Sequence, residues 1–175
     1  MADDRESTPL AIFSHGKEGI PWGDKILRLA EVARRQGFRV ESPDYRDLSG
    51  AEKRVERLLQ QVPSGRPSPL VLVGSSMGGY QSIVASAALR PDGLFLLAPA
   101  IGLTTGEYAQ MEPVPHSGKM AIVHGWDDDV VAPDQVIAFA RRHRASLTLL
   151  PDGHRLLDVM DEIVLIFSRF LDTLG

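Results

Sequence analysis

Several short stretches of the chain are continuously apolar, and they restrict the possible folds more than any other feature. They are Leu70–Val73, Leu94–Leu97 and Met120–Val123. An uninterrupted apolar run with β-branched residues is typical of a strand that is buried on both faces. Amphipathic stretches with apolar residues at helical spacing separate these runs. The alternation predicts an α/β fold, in which a mainly parallel sheet is covered by helices on both faces.

Weaker apolar runs complete the predicted sheet. Leu10–Phe13, Phe38–Val40 and Leu147–Leu150 are short strand candidates, so we expect about six strands in all. Right-handed connections between parallel strands make such a sheet doubly wound. In a doubly wound sheet, functional groups collect at the carboxyl ends of the strands. The residues that follow each strand are therefore the candidates for binding or chemistry.

Helix signals fall between the strand candidates. Asp24 begins one amphipathic stretch and Gly37 ends it. Ser49, followed by Glu52, predicts a capping box at the start of a second helix. The final helix is expected over residues 156–174.

The length of the chain, 175 residues, suits one domain with a buried core. We expect residues 1–8 to form a frayed tail and residues 9–175 to form a single domain. The long irregular connection at about residues 99–118 is too short for a cap domain and is predicted to be a short flap. The sequence leaves open whether the protein is a monomer or a homodimer.

Composition and charge exclude several classes of protein. The chain contains no cysteine, which excludes thiol catalysis and thiolate metal sites. A net charge of −4 argues against nucleic acid as a partner. No stretch reaches the roughly 18 to 20 apolar residues of a membrane helix, so no membrane partner is expected. The acidic, polar start of the chain is unlike a secretory signal, and we therefore expect a cytoplasmic protein.

A glycine-rich turn follows the apolar run Leu70–Val73 directly and precedes a helical stretch. Its sequence, Gly74-Ser75-Ser76-Met77-Gly78-Gly79, contains the pattern G-x-S-x-G in a strand–turn–helix context, which places a serine nucleophile on a tight turn. We expect a Cβ to clash at either motif glycine, and we expect Ser76 to adopt a strained backbone. The Met77 N–H, in the first turn of the helix, is then a candidate oxyanion donor. The alternative interpretation is a purely structural turn; the glycine and lysine pattern of a phosphate-binding loop is absent.

A serine nucleophile needs a histidine base and a group that orients the base. Among the 5 histidines, His154 follows the last predicted strand and is our candidate base. His124 also ends a strand, but its surroundings predict a packed or hydrogen-bonded ring. The acid is expected at the strand end between the serine and the base, where Asp127, Asp128 and Asp129 stand in sequence. Spacing does not choose among the three.

The loop after the first predicted strand is a candidate second oxyanion donor. It reads Ser14-His15-Gly16-Lys17, and we expect the backbone N–H of Lys17 to face the serine. The side chains of Lys17 and Glu18 are expected to be exposed. Four large side chains are candidates for the walls of an apolar substrate pocket, with ordinary packing as the alternative: Trp22, Tyr108, Met111 and Trp126.

The assembled residues resemble the α/β-hydrolase superfamily, in which the serine precedes the acid and the acid precedes the histidine. The resemblance covers the chain from Leu10 to the final helix. The family often writes its acid loop as H-G-x-x-D-x-x-V; on His124–Val131 this pattern selects Asp128. The N-terminal hairpin and the cap domain of the family are missing. The chain therefore looks like a minimal, cap-less esterase or thioesterase, or a relative of the dienelactone hydrolases, which usually use cysteine at the turn.

The resemblance implies a serine hydrolase that cleaves a small carboxylic ester or thioester through an acyl-enzyme intermediate. Ser76, His154 and Asp128 would be the catalytic residues, and the Lys17 and Met77 amides would bind the oxyanion. No cofactor and no metal is expected. Two alternatives stay open: a peptidase or lactonase with the same residues, and a non-catalytic binding module with this fold.

Overall fold

The computed structural model describes residues 8–65 and 67–175. The predicted frayed tail, residues 1–8, falls outside this part of the chain except for Thr8. The described residues form six strands and five helices. The strands are β1 (Leu10–Ser14), β2 (Arg39–Glu41), β3 (Leu70–Ser75), β4 (Gly93–Leu97), β5 (Lys119–Gly125) and β6 (Ser146–Leu150). The helices are α1 (Asp24–Arg35), α2 (Ala51–Gln61), α3 (Met77–Leu89), α4 (Pro133–His143) and α5 (Met160–Asp172).

All six strands form one parallel sheet in the order β2-β1-β3-β4-β5-β6. The predicted fold class, a doubly wound sheet with helices on both faces, is confirmed. The direction of winding reverses between β1 and β3, because β2 lies on one side of β1 and all later strands lie on the other. Such a reversal opens a crevice at the carboxyl ends of the two strands.

The packing of the sheet explains why its strands are continuously apolar. Alternate residues of a strand point to opposite faces. Phe13 and Val73 face the layer formed by α1 and α5, whereas Ile12 and Leu72 face α2, α3 and α4. Burying each such side chain stabilises the fold by about 1.5–3 kcal/mol. Because both faces are covered, polar residues would be costly at every position of the central strands.

Two local predictions were wrong. The capping box is not formed: α2 has Gly50 at its N-cap, with a φ of 78°, and no side chain caps the helix. Glu52 instead accepts hydrogen bonds from the Tyr80 hydroxyl (2.8 Å) and the Ala109 N–H (3.3 Å). The last helix begins at Met160 rather than at residue 156, because Leu156, with a φ of 51°, interrupts the helical backbone.

The connection between β4 and β5, residues 98–118, contains no helix or strand. Its first residues are held against the turn after β3, where the Ala100 N–H donates to the Ser76 carbonyl at 3.0 Å. Further along, the Glu107 carbonyl accepts from the Ala51 N–H at 3.1 Å. The connection is thus fastened to α2 and α3.

None of the helices in the described part of the chain has the length and apolar character that crossing a bilayer requires.

Candidate active site

The turn between β3 and α3 places Ser76 at the carboxyl edge of the sheet. Ser76 has φ 54° and ψ −117°, a strained conformation for a residue with a side chain. The turn is tight because Gly74 and Gly78 lack side chains. A Cβ on Gly74 would lie 2.2 Å from the Gly78 carbonyl oxygen, and one on Gly78 would lie 2.0 Å from that of Ser14. The two glycines therefore permit the close approach that exposes the serine hydroxyl.

Three side chains that are distant in sequence form a chain of hydrogen bonds at this edge. The Ser76 hydroxyl lies 2.9 Å from Nε2 of His154, and Nδ1 of His154 lies 2.8 Å from Oδ2 of Asp128. A carboxylate only accepts, so Nδ1 carries the proton and Nε2 is free to accept from the serine. The His154 side chain is 17% exposed, whereas that of Asp128 is fully buried. This arrangement presents Nε2 of an imidazole to a serine hydroxyl.

Asp128 is the aspartate that the fold directs toward His154. Its Oδ1 accepts hydrogen bonds from the N–H groups of Val130 (2.9 Å) and Val131 (2.8 Å), which leaves Oδ2 for the imidazole. Burial works against the charged form, but the hydrogen bonds from His154 and the two N–H groups outweigh it and lower the pKa of Asp128. Asp127 and Asp129 are exposed. Spacing had left three candidates, and side-chain direction distinguishes them.

The loop that carries His154 is anchored to the loop that carries Asp128. The Asp127 N–H donates to the Asp152 carbonyl at 3.0 Å, and the Trp126 N–H donates to the Leu150 carbonyl at 2.9 Å. The Asp152 carboxylate accepts from the N–H groups of Gly153 (2.7 Å) and Asp158 (2.9 Å). These contacts fix His154 and Asp128 relative to each other.

His124 is fully buried and hydrogen-bonded, as its sequence context predicted, and its ring lies beside Asp128. Its Nε2–H donates to the Val131 carbonyl at 2.9 Å and lies 3.3 Å from Oδ2 of Asp128. Burial lowers the pKa of His124, so the ring is neutral at neutral pH and the contact with Asp128 is not an ion pair. The ring therefore packs against the carboxylate as a neutral group whose N–H is held by the Val131 carbonyl.

The N–H groups of Met77 and Lys17 have no hydrogen-bond acceptor in the described part of the chain. Met77 is the first residue of α3, where the helix dipole favours negative charge. The loop that contains Lys17 lies against the serine, because a Cβ on Gly16 would be 3.5 Å from the Ser76 Cβ. The Lys17 side chain is 58% exposed and forms an ion pair with Glu107 at 2.7 Å. Both N–H groups remain available to a ligand; that they bind an oxyanion stays a prediction.

The four predicted pocket residues do not line either of two cavities that lie away from Ser76. Trp22 lies at the surface, and the guanidinium carbon of Arg34 lies 5.6 Å from the centroid of the Trp22 ring. Tyr108 packs edge-on against Tyr80, with 4.9 Å between ring centroids. Met111 and Trp126 are 54% and 55% exposed. Their role in substrate binding stays a prediction.

The larger cavity, about 490 Å³, lies at the opposite edge of the sheet from Ser76, beside the first residues of β5 and β6. The second, about 440 Å³, is next to it at the end of the β4–β5 connection. Within the described residues no group of three or more histidine, aspartate or glutamate side chains could hold a metal ion.

Three buried polar residues that hold the β1–α1 loop were not predicted from the sequence. Arg54, His15 and Tyr45 are almost fully buried, with exposures of 2%, 2% and 0%. One signal was present in the sequence: Arg54 falls on the apolar stripe of α2, with Val55 and Leu58. A cation within an apolar stripe indicates a specific buried partner. His15 and Tyr45 gave no comparable signal, because their positions depend on the packing of two loops.

An open, all-parallel sheet with a serine, a histidine and an aspartate at its carboxyl edge defines a class of hydrolytic enzymes. The chain belongs to the alpha/beta hydrolase superfamily. It is 32% identical to a Xanthomonas campestris pv. campestris protein assigned to that superfamily of hydrolases, with a TM-score of 0.84 over 96% of this chain and 99% of the other. The predicted family is confirmed.

More distant solved structures share the fold. A Xanthomonas campestris serine hydrolase without a lid has a TM-score of 0.71 at 19% identity, over 95% of this chain and 83% of the other. Est1E from Butyrivibrio proteoclasticus has a TM-score of 0.78 at 19% identity, over 96% of this chain and 88% of the other. No family model and no curated protein matches the chain.

Proposed function

We propose that this hydrolase uses Ser76 as its nucleophile and cleaves a carboxylic ester or thioester through an acyl-enzyme intermediate. The observation that carries the proposal is the continuous hydrogen-bond chain from Ser76 through His154 to Asp128, at 2.9 Å and 2.8 Å. Distances of this kind are those at which a base can take a proton from a serine hydroxyl. The strained backbone of Ser76 gives further support, since strain of this kind collects at functional sites.

In the proposed acylation, the Ser76 oxygen attacks the carbonyl carbon while its proton passes to Nε2 of His154. The carbonyl π electrons move to the oxygen, and the resulting oxyanion accepts hydrogen bonds from the Met77 and Lys17 N–H groups. Collapse of this intermediate breaks the bond to the alcohol or thiol, which leaves with the proton from His154. Asp128 stabilises the imidazolium that exists between these steps.

Deacylation repeats the same steps with water. His154 takes a proton from the water, whose oxygen attacks the acyl carbon, and then returns the proton to Ser76 as the carboxylic acid departs. Each oxyanion donor is expected to contribute about 3 kcal/mol to lowering the barrier. No cofactor and no metal takes part in the proposed reaction.

The test is labelling by a fluorophosphonate probe combined with hydrolysis of a substrate panel. The wild-type protein should be labelled at Ser76, and Ser76→Ala should lose labelling and lower kcat by several orders of magnitude. Ser75→Ala is the matched control, because it removes the neighbouring hydroxyl and should retain labelling. Labelling of the Ser76→Ala variant, or hydrolysis above about a tenth of the wild-type rate, would contradict the proposal.

The panel separates the substrate classes. It contains short and long acyl esters, acyl thioesters, lactones and aminoacyl amides, and a feruloyl ester because Est1E has been solved with ferulic acid bound. Turnover of esters or thioesters supports the proposal. Turnover of amides or lactones alone would identify a peptidase or lactonase instead, and a protein that neither reacts with the probe nor turns over any substrate would be a binding module.

A further inference from the structure

Arg54 is a buried cation with no carboxylate within ion-pair distance in the described part of the chain. Arg54 is 2% exposed and lies on the face of α2 that packs on α3 and the sheet. The guanidinium carbon lies 5.6 Å from the centroid of the Tyr45 ring, and the Nε–H has no hydrogen-bond partner. Removing a guanidinium from water costs several kcal/mol. The contacts that offset this cost therefore indicate what the buried charge is held against.

The donors of Arg54 converge on three consecutive carbonyl groups of the β1–α1 loop. Nη1 donates to His15 at 3.1 Å and to Gly16 at 3.3 Å, and Nη2 lies 3.4 Å from the carbonyl of Lys17. This is the loop that contacts Ser76. One rigid, planar side chain thus binds three consecutive carbonyls of the loop that contacts Ser76.

The Gly16 carbonyl is held by further donors. His15 Nδ1–H donates to it at 2.8 Å and the Gly19 N–H donates to it at 3.1 Å, in addition to Arg54. The His15 tautomer is consistent with this, because its Nε2 accepts from the Tyr45 N–H at 3.1 Å. Burial lowers the pKa of His15, which keeps the ring in this neutral form.

The orientation of one carbonyl determines the orientation of the next N–H. A trans peptide is planar, and its C=O and N–H point in opposite directions. The Gly16 carbonyl and the Lys17 N–H belong to the same peptide unit. Donors that hold the carbonyl on the α2 side therefore direct the Lys17 N–H to the other side, and that N–H has no acceptor among the described residues.

We propose that Arg54 is a positioning residue that presets the Gly16–Lys17 peptide for oxyanion binding. The inference rests on the proposed function, because an oxyanion forms only if Ser76 attacks a carbonyl. A donor that is already oriented contributes to the transition state without reorganising during the reaction. In the absence of Arg54, the Gly16 carbonyl would keep only its donors from His15 and Gly19, and the carbonyls on either side would lose the donor that Arg54 supplies. The peptide would then be held less firmly, and its N–H would be lost from the site for part of the time.

The experiment compares Arg54→Met and Arg54→Lys with the control Leu58→Ala, which removes a fully buried side chain one turn further along α2. We expect Arg54→Met to lower kcat by about 10- to 100-fold, less than complete loss of an oxyanion donor, and to leave KM within about twofold. Affinity for a boronic acid, which forms a tetrahedral adduct with the serine, should fall by a similar factor. The kcat and the boronic acid affinity of Arg54→Lys should lie between those of the wild type and of Arg54→Met, because an ammonium keeps the charge but cannot span three carbonyls.

The control separates positioning from simple destabilisation. Leu58→Ala should lower the unfolding temperature and leave kcat nearly unchanged at temperatures where it is folded. An Arg54→Met variant whose kcat stays within about twofold of the wild type, or whose KM alone rises, would overturn the proposal. If Arg54→Met does not fold, the same criteria apply to Arg54→Lys, whose kcat is expected to fall by about 3- to 10-fold.

A second measurement does not depend on activity. The ¹⁵N order parameter of the Lys17 amide should be near the rigid value of about 0.85 in the wild type and in Leu58→Ala, and should fall toward about 0.6 in the Arg54 variants. An unchanged order parameter in those variants would overturn the positioning role. If Ser76 proved unreactive but the order parameter fell as expected, the proposed function would fail while the control of the loop by Arg54 would stand.

Discussion

At the scale of single residues, Asp128 shows how the environment selects one carboxylate among three neighbours. Its two oxygens divide their hydrogen bonds, since Oδ1 accepts from two backbone N–H groups and Oδ2 accepts from His154. A carboxylate held from both sides cannot rotate away from the imidazole. Asp127 and Asp129 have the same chemistry but are exposed.

Asp128→Asn tests this assignment. The amide cannot stabilise the imidazolium and favours the wrong imidazole tautomer, so kcat should fall by about 10⁴-fold. Asp127→Asn and Asp129→Asn are matched controls that should change kcat by less than about threefold, as surface substitutions usually have small effects. Steady-state kinetics on the best ester of the panel measures all three. A large loss in either control, with Asp128→Asn active, would move the acid to another residue.

At the scale of elements, the β3–α3 turn depends on the close approach of two backbones. Gly78 brings the start of α3 against the end of β1, and a Cβ there would lie 2.0 Å from the Ser14 carbonyl oxygen. Backbone atoms cannot move aside as the end of a flexible side chain can. The serine, the first turn of α3 and the loop after β1 are therefore one packed unit.

Gly78→Ala should disrupt this unit. The overlap forces α3 and β1 apart, and we expect a loss of about 3 kcal/mol or more in the free energy of unfolding, together with loss of fluorophosphonate labelling. Gly106→Ala is the control, because a Cβ at Gly106 meets no atom within 4 Å. Its stability should stay within about 0.5 kcal/mol of the wild type in urea unfolding. Equal stability of the two variants would show that the turn relaxes more easily than its packing indicates.

At the scale of the whole molecule, buried histidines connect the stability of the fold to pH. His15 and His124 are 2% and 0% exposed, and burial lowers the pKa of each below its usual value of 6.5. The folded protein keeps both rings neutral. An unfolded chain takes up protons at these residues as the pH falls through 6.5, and the folded chain does so only at lower pH.

The free energy of unfolding should therefore decrease as the pH is lowered from about 7.5 to about 5, by up to about 1.4 kcal/mol per pH unit for each histidine. His124→Gln should reduce this slope, because glutamine can still donate to the Val131 carbonyl and does not titrate. Urea unfolding at several pH values measures the slope. An equal slope in the variant and the wild type would show that His124 does not take part in the linkage.

Much of the fold and part of the site could be predicted because the relevant signals are local. The continuous apolar runs predicted the central strands, since a strand between two helical layers needs apolar residues on both faces. The glycine spacing around Ser76 predicted the turn, since only glycine permits such close backbones. The start of α2 was mispredicted, because Glu52 has a tertiary partner, Tyr80, that competes with capping.

The sequence by itself determined the succession of strands and helices along the chain and the position of the serine turn. Both depend on residues that are close to one another in sequence. The tertiary structure decided which aspartate faces His154, and it alone brought Arg54 to the carbonyls of residues 15–17. These relations join side chains separated by tens of residues. Their physical basis is the burial of polar groups, which are stable only where the completed fold supplies a partner.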